Sequence, residues 1–370
     1  MKKIHFVSPF YPYRGGIAQF SDALFKQLQK SNIVFKINYK RLYPSLLFPG
    51  KSQFVDDKQK IKNGLDSLNP LSIIRLALKI KKESDQNILL SVYWMSFFAP
   101  ILSLFNLVLP KRIKKVAIIH NLIPHEPRFF DSILTRWYLN NQDAFVVLSE
   151  KVNQDVLKWK PNAKIIRLFH PIYDHFGDKL EKKFAREKFG ISSERKVVLF
   201  FGLIRDYKGL DSLLQSFSFL DDTYLLVIAG ECYGGFEKYQ AIIDKYKISS
   251  RIMHLDYFVS DSEVPYLFSS ADVCVLPYKK ATQSGVTATA LHFETPIICS
   301  NVGGLSEYVK NGENGLLVTP NDIKDLTDAI VSVCESEMNN KLVYKTKQIK
   351  ASFSWDRFAV ELNQFIESQY

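Results

Sequence analysis

Cysteine is scarce. The 370 residues hold four, Cys232, Cys274, Cys299 and Cys334, far apart and with no CxxC pair. That spacing excludes a disulfide framework and a zinc ribbon. Cys274 and Cys299 fall inside apolar strand-like runs, so the four are expected as reduced core residues. An apolar run long enough to span a bilayer is also missing. The one candidate, "YWMSFFAPILSLFNLVLP" at Tyr93–Pro110, carries no charge but falls short of roughly 20 residues and has prolines at 100 and 110. It is expected as a buried helix between two strands, with membrane dipping as the alternative because "KRIKK" (Lys111–Lys115) follows it. The opening "MKKIHFVSPFYP" lacks the apolar core of a secretory signal, so a cytoplasmic location is expected, at most peripheral on the inner face of the membrane. No internal repeat or low-complexity segment is found.

With 46% hydrophobic residues the chain exceeds one ordinary core, and about 100 to 200 residues per domain point to two. Short β-rich runs alternate with longer amphipathic stretches, the pattern of parallel sheets covered by helices. Six strands are expected in the first half, "KIHFVSP", "IVFKINY", "NILLSVYW", "KVAIIHN", "AFVVLSE" and "AKIIRLFH". Six more follow, "KVVLFFGLI", "TYLLVIAGE", "RIMHLDYF", "VCVLPY", "TPIICS" and "GLLV". Each set makes one open sheet. The boundary falls where Pro171–Arg195 turns from apolar to charged, which sets the domains at 1–175 and 176–352. The tail "FSWDRFAVELNQFIESQY" reads as an amphipathic helix, with Phe358, Leu362 and Phe365 at helical spacing.

Charge is divided unevenly. Residues 1–170 hold 27 Lys+Arg against 11 Asp+Glu, a net +16, whereas residues 171–370 hold 22 against 27, a net −5. A basic half suits an anionic membrane, a polyanionic substrate or nucleic acid. No nucleic-acid recognition module accompanies it, so nucleic acid is not expected as a partner.

Four constellations carry chemistry. "FFGLIRDYKGLDSLLQSF" reads as strand, loop and helix, and sets Arg205 and Lys208 after the carboxyl end of a strand, where open α/β sheets bind ligands. Two cations at a helix start oppose the helix dipole but suit a diphosphate between them; projection into water is the other reading. In "PYKKATQSGVTATALHFETPII", "TQSGV" brings small residues and Gly285 to a helix N-terminus, whose free N–H groups can hold phosphate without a cation. "YPYRGGIAQFSDAL" joins strand to helix through Gly15 and Gly16 but lacks GxGxxG and Walker spacing, which disfavours ATP and dinucleotides. In "IIHNLIPHEP", His120, His125 and Glu126 stand in a proline-broken stretch without further ligands. No metal is expected there, and His120 is read as a polar contact to substrate. His170, in "LFHPIY", is assigned to the hinge.

Together and in this order, the motifs resemble glycosyltransferase family 4, the retaining nucleotide-sugar transferases of the GT-B fold. "RGGIAQFSDAL", "IIHNLIPHE", "VVLSE", "FFGLIRDYKGLDSLL", "VIAGE", "FSSADVCVLPY", "QSGVTATALHFETPII" and "SNVGGLSEYVKNGENGLLV" carry the resemblance over nearly the whole chain. It implies an α/β GT-B architecture: two Rossmann-like, doubly wound parallel-sheet domains facing a cleft, with the helix at 353–370 crossing back to the first domain. It also implies that Arg205 and Lys208 act on the donor diphosphate and His120 on the transferring sugar. Gly16, Gly202, Phe258, Val259, Gln283, Ser284, Gly285, Val286 and Thr289 would line the donor, and Glu307 would be structural. Where the family often has two glutamates eight positions apart, this chain has Ala281 and Thr289, which groups it with a "QSGV" subset.

The implied activity is transfer of a sugar, with retention, from a nucleoside diphosphate to a hydroxyl of a saccharide or lipid-linked glycan in surface polysaccharide synthesis. The donor is a substrate, and neither a cofactor nor a metal is expected. The missing acid pair leaves a catalytically silent scaffold that binds a nucleotide-sugar or glycan as the alternative.

Overall fold

The computed structural model describes residues 2–43, 53–55, 61, 64–81, 87–122, 129–232, 234–281 and 284–369. Chain contacts divide it into two units, Met1–Phe169 with Trp355–Tyr370, and His170–Ser354.

The first unit is built on a six-stranded parallel sheet in the order Ile33–Ile37, Lys3–Val7, Asn87–Tyr93, Lys114–Ile119, Ala144–Val147, Lys164–Arg167. Asn87–Tyr93 is buried at every position, as a strand covered on both faces must be, so its sequence shows no alternation. One face packs helices Gly16–Leu28 and Trp355–Glu367 through Phe20, Leu24, Trp355, Phe358 and Leu362. The other packs helices Pro70–Lys81, Ala99–Val108 and Asp131–Asn140. The charge-free stretch thus becomes a short 3-10 turn, Ser96–Phe98, whose Phe98 enters the core, and a helix that adds Ile101, Leu102 and Phe105. Among the described residues no helix is long and apolar enough to cross a membrane.

The second unit has its own six-stranded parallel sheet, ordered Ile252–Leu255, Tyr224–Ala229, Lys196–Phe201, Val273–Leu276, Ile297–Ser300, Gly315–Val318. Its strands are short runs of Val, Ile, Leu, Phe and Cys, residues that suit a pleated, doubly covered surface. All twelve strands read from the sequence form. The order reverses between Lys196–Phe201 and Val273–Leu276, which makes the carboxyl ends of these two strands the switch point of the sheet. Residues 170–175 pack with this unit, Ile172 donating its N–H to the carbonyl of Phe353 at 3.0 Å. All four cysteines are free thiols. Cys274, Cys299 and Cys334 are buried, whereas Cys232 is only half-buried and points its thiol at the Gly235 carbonyl, 3.0 Å away.

Candidate functional site

Two loops leave neighbouring strands at this switch point. The first begins at Gly202, whose N–H donates to the Ala229 carbonyl at 2.9 Å, and runs through a 3-10 turn at Asp206–Lys208. It ends at Gly209, which has the left-handed φ of 69° and opens helix Leu210–Phe217. A Cβ on Gly209 would stand 2.0 Å from the carbonyl oxygen of Pro277, in the second loop. The two loops therefore meet backbone to backbone, a contact that only glycine allows.

Lys208 is buried within that meeting point. Its ammonium lies 5.5 Å from the centre of the Tyr278 ring. A Cβ on Gly202 would come within 3.2 Å of Lys208 Nζ and 3.6 Å of Val286 Cγ2. The bare Gly202 thus leaves one spot faced by the Lys208 ammonium and by the first turn of helix Gly285–His292. Among the described residues Lys208 has no ion-pair partner, and the charge beside it is the like charge of Arg205. Burial first, and Arg205 second, pull Lys208 down to about 8, with Cys274 opposing weakly. A desolvated cation next to another cation and a helix N-terminus is unfavourable by itself. It becomes favourable once an anion arrives.

Helix Gly285–His292 is fixed from several sides. Ser284 caps it, its Oγ accepting from Val286 N at 3.3 Å, and Tyr278 Oη lies 3.3 Å from the same oxygen. Thr289 Oγ1 donates to the Gly285 carbonyl at 3.0 Å, so its proton is used inside the helix. Gly285 stands at the helix start read from the sequence as phosphate-holding, but the neighbour its missing Cβ accommodates is the Tyr173 ring, 2.8 Å from where that Cβ would be. The Tyr173 hydroxyl donates in turn to His170 Nε2 at 3.4 Å, while His170 Nδ1 donates to the Pro171 carbonyl at 2.9 Å. Burial holds this imidazole neutral, pushing it down to about 4.

The lysines ahead of the turn now have a place. Lys279 pairs with Asp211 in the first turn of helix Leu210–Phe217 at 2.6 Å, and its N–H donates to the Tyr207 carbonyl at 2.7 Å, which ties the two loops together. Lys280 is exposed. Glu294, at the far end of the helix, joins Lys179 at 3.3 Å and Lys350 at 3.7 Å.

The other residues named from the sequence are spread over both units. Phe258 and Val259 follow strand Ile252–Leu255, two strands from the switch point, Phe258 exposed and Val259 buried. Glu307 ends the 3-10 turn Gly303–Glu307 and is half-buried. In the first unit, Gly16 opens helix Gly16–Leu28 behind Gly15, whose φ is 106°. His120 is buried there, its N–H donating to the Tyr93 carbonyl at 2.9 Å and its ring 4.7 Å from the edge-on Phe20. Gln283, His125 and Glu126 lie outside the described residues. Among the described residues no cluster of three His, Cys, Asp or Glu is arranged to hold a metal ion. The sequence reading passed over Tyr278, Tyr173 and Asp211. Only Tyr278 left a signal, standing directly after a buried strand in the loop already singled out.

Residues 181–349 match the model of the family described as glycosyl transferases group 1, a segment wholly inside the second unit. A D-inositol 3-phosphate glycosyltransferase from Mycolicibacterium smegmatis is 29% identical over 174 residues, 46% of this chain and 40% of that protein. The chain spans under half the length of the curated relatives it matches. Sucrose-phosphate synthase from Thermosynechococcus elongatus superposes with a TM-score of 0.80 at 17% identity, covering 100% of this chain and 99% of that one. HepE from Anabaena, crystallised with UDP-glucose, gives 0.75 at 15% identity, with 100% and 99% covered. The fold is that of the GT-B glycosyltransferases.

Proposed function

We propose that this protein is a metal-independent glycosyltransferase that moves a sugar, with retention, from a nucleoside diphosphate to a hydroxyl of a saccharide or lipid-linked glycan. The observation that carries the reading is Lys208: a buried ammonium without a counter-charge among the described residues, beside Arg205 and a capped helix N-terminus, at the switch point of a GT-B domain. A diphosphate supplies the missing charge. As the bond from the anomeric carbon to the diphosphate breaks and the bond to the acceptor oxygen forms, negative charge grows on the departing phosphate, where Lys208, Arg205 and the N–H of Gly285 at the helix start stabilise it. The acceptor proton passes to that phosphate, so no separate protein base is required. The donor belongs to the class crystallised with HepE, and synthesis of a surface polysaccharide accounts for the acceptor.

The test is a screen of nucleotide-sugars for thermal stabilisation, followed by turnover with the selected donor. Saturation at about 100 times the dissociation constant should stabilise the fold by about 2.7 kcal/mol. Lys208→Ala should lower turnover about 100-fold or more, the loss of one preorganised electrostatic contact. A donor that binds but is neither hydrolysed nor transferred would instead make the protein a nucleotide-sugar-binding scaffold. Full turnover by Lys208→Ala would remove the proposed role of that residue.

A further inference from the structure

Three helices on one face of the first sheet, Pro70–Lys81, Ala99–Val108 and Asp131–Asn140, lie side by side, the middle one packed against both neighbours. Their inward sides build the core through residues such as Ile73, Ala77, Phe105 and Tyr138. Their outward sides are apolar too. Leu71, Leu107 and Ile133 are 60%, 58% and 70% exposed, and Ile74, Leu78 and Trp137 are exposed beside them. Residues 71, 74 and 78 recur at helical spacing, roughly a third of a turn around the helix from the buried Ile73, Ala77 and Ile80, so the apolar surface of helix Pro70–Lys81 extends well beyond its core side.

Among the described residues, the exposed charges of these helices have one sign. Arg75, Lys79 and Lys81 flank the stripe, all exposed and none with an ion-pair partner among the described residues. The three helices contain a single carboxylate, Asp131, which is buried and accepts a hydrogen bond from Ser96. A second copy of the chain docked on a two-fold axis would set these cations against one another. A bilayer with anionic headgroups accepts both features at once: aliphatic side chains and Trp137 at the acyl boundary, Arg75, Lys79 and Lys81 at the phosphates.

We infer that the first unit docks on an anionic phospholipid surface through this three-helix face. The charge-free stretch that suggested membrane dipping is mostly core, and within "KRIKK" Lys115 is a buried strand residue; the exposed apolar residues come chiefly from the helices on either side. The inference is independent of sugar transfer, because its readout is partition onto lipid.

The experiment is flotation of the whole chain with vesicles of phosphatidylglycerol and, separately, of phosphatidylcholine, beside L71S/I74S/L78S and R75E/K79E variants shown by circular dichroism to be folded. The wild-type chain should float with phosphatidylglycerol about tenfold more than with phosphatidylcholine, and either variant should lower that binding about tenfold or more. Equal partition onto both vesicles, no partition onto either, or binding that neither variant changes would overturn the inference. So would a lipid-free dimer in sedimentation velocity that L71S/I74S/L78S dissociates, since that would make a second copy the natural cover. R75E/K79E alters only exposed charges and keeps the test decisive if the apolar variant fails to fold.

Discussion

Lys208 gains its character from where its chain ends, and that character carries a pH signature. In the free protein it deprotonates at about 8, so above that pH the ammonium proposed to meet a diphosphate must first be restored. Affinity for a nucleoside diphosphate should therefore be flat below pH 8 and fall by up to about tenfold per unit above it. Isothermal titration from pH 7 to 10 checks this, and Lys208→Met should bind more weakly with that slope gone. His170 has the opposite setting. Its pKa is lowered from 6.5 unfolded to about 4 folded, so the unfolded chain binds more protons between those values. Its contribution is intact above pH 6.5 and lost as pH falls toward 4, about 3 kcal/mol in all. Urea titrations at several pH values across that window should show the loss, and His170→Asn should flatten it.

At the scale of elements, the start of helix Gly285–His292 is held by the segment that enters the second unit. Gly285→Ala would press a methyl group into the Tyr173 ring, 2.8 Å from that Cβ position, and should cost about 1–3 kcal/mol in chemical denaturation. In Gly285→Ala/Tyr173→Ala the clash disappears, so the double variant should be more stable than the two single losses add up to. This contact also marks where reading the sequence stopped. Strands such as "KVVLFF" were legible because composition alone makes them buried strands, and the loop and helix-start positions of Arg205, Lys208, Ser284 and Gly285 were legible because strand, loop and helix follow one another along the chain. The Tyr173–Gly285 and Lys279–Asp211 contacts join segments far apart in sequence, and nothing local announces either. Nor does "RDYKG" announce that its lysine is buried; a lysine in a loop reads as solvated until Gly202, Tyr278 and Val286 are seen around it.

For the whole molecule, connectivity matters as much as composition. The second unit is continuous from His170 to Ser354, whereas the first is closed by a helix that arrives after it. Trp355, Phe358, Leu362 and Ile366 fill the same cluster as Phe6, Phe20 and Leu24. Ending the chain at Ser354 should therefore expose the first unit's core and leave the fold of the second unit, with its proposed nucleotide site, in place. Hydrogen exchange with mass spectrometry should show protection lost in strands Lys3–Val7 and Asn87–Tyr93 and kept in Lys196–Phe201. The same arrangement bears on how the protein is made. A ribosome working from the N-terminus at about 5–20 residues per second emits the first sheet, then spends on the order of ten seconds or more on the second unit before the closing helix emerges. During that interval Phe20 and its neighbours face water, so the nascent first unit is a natural client for a chaperone, and synonymous changes that slow translation within 170–354 should raise the aggregated fraction without altering a single residue.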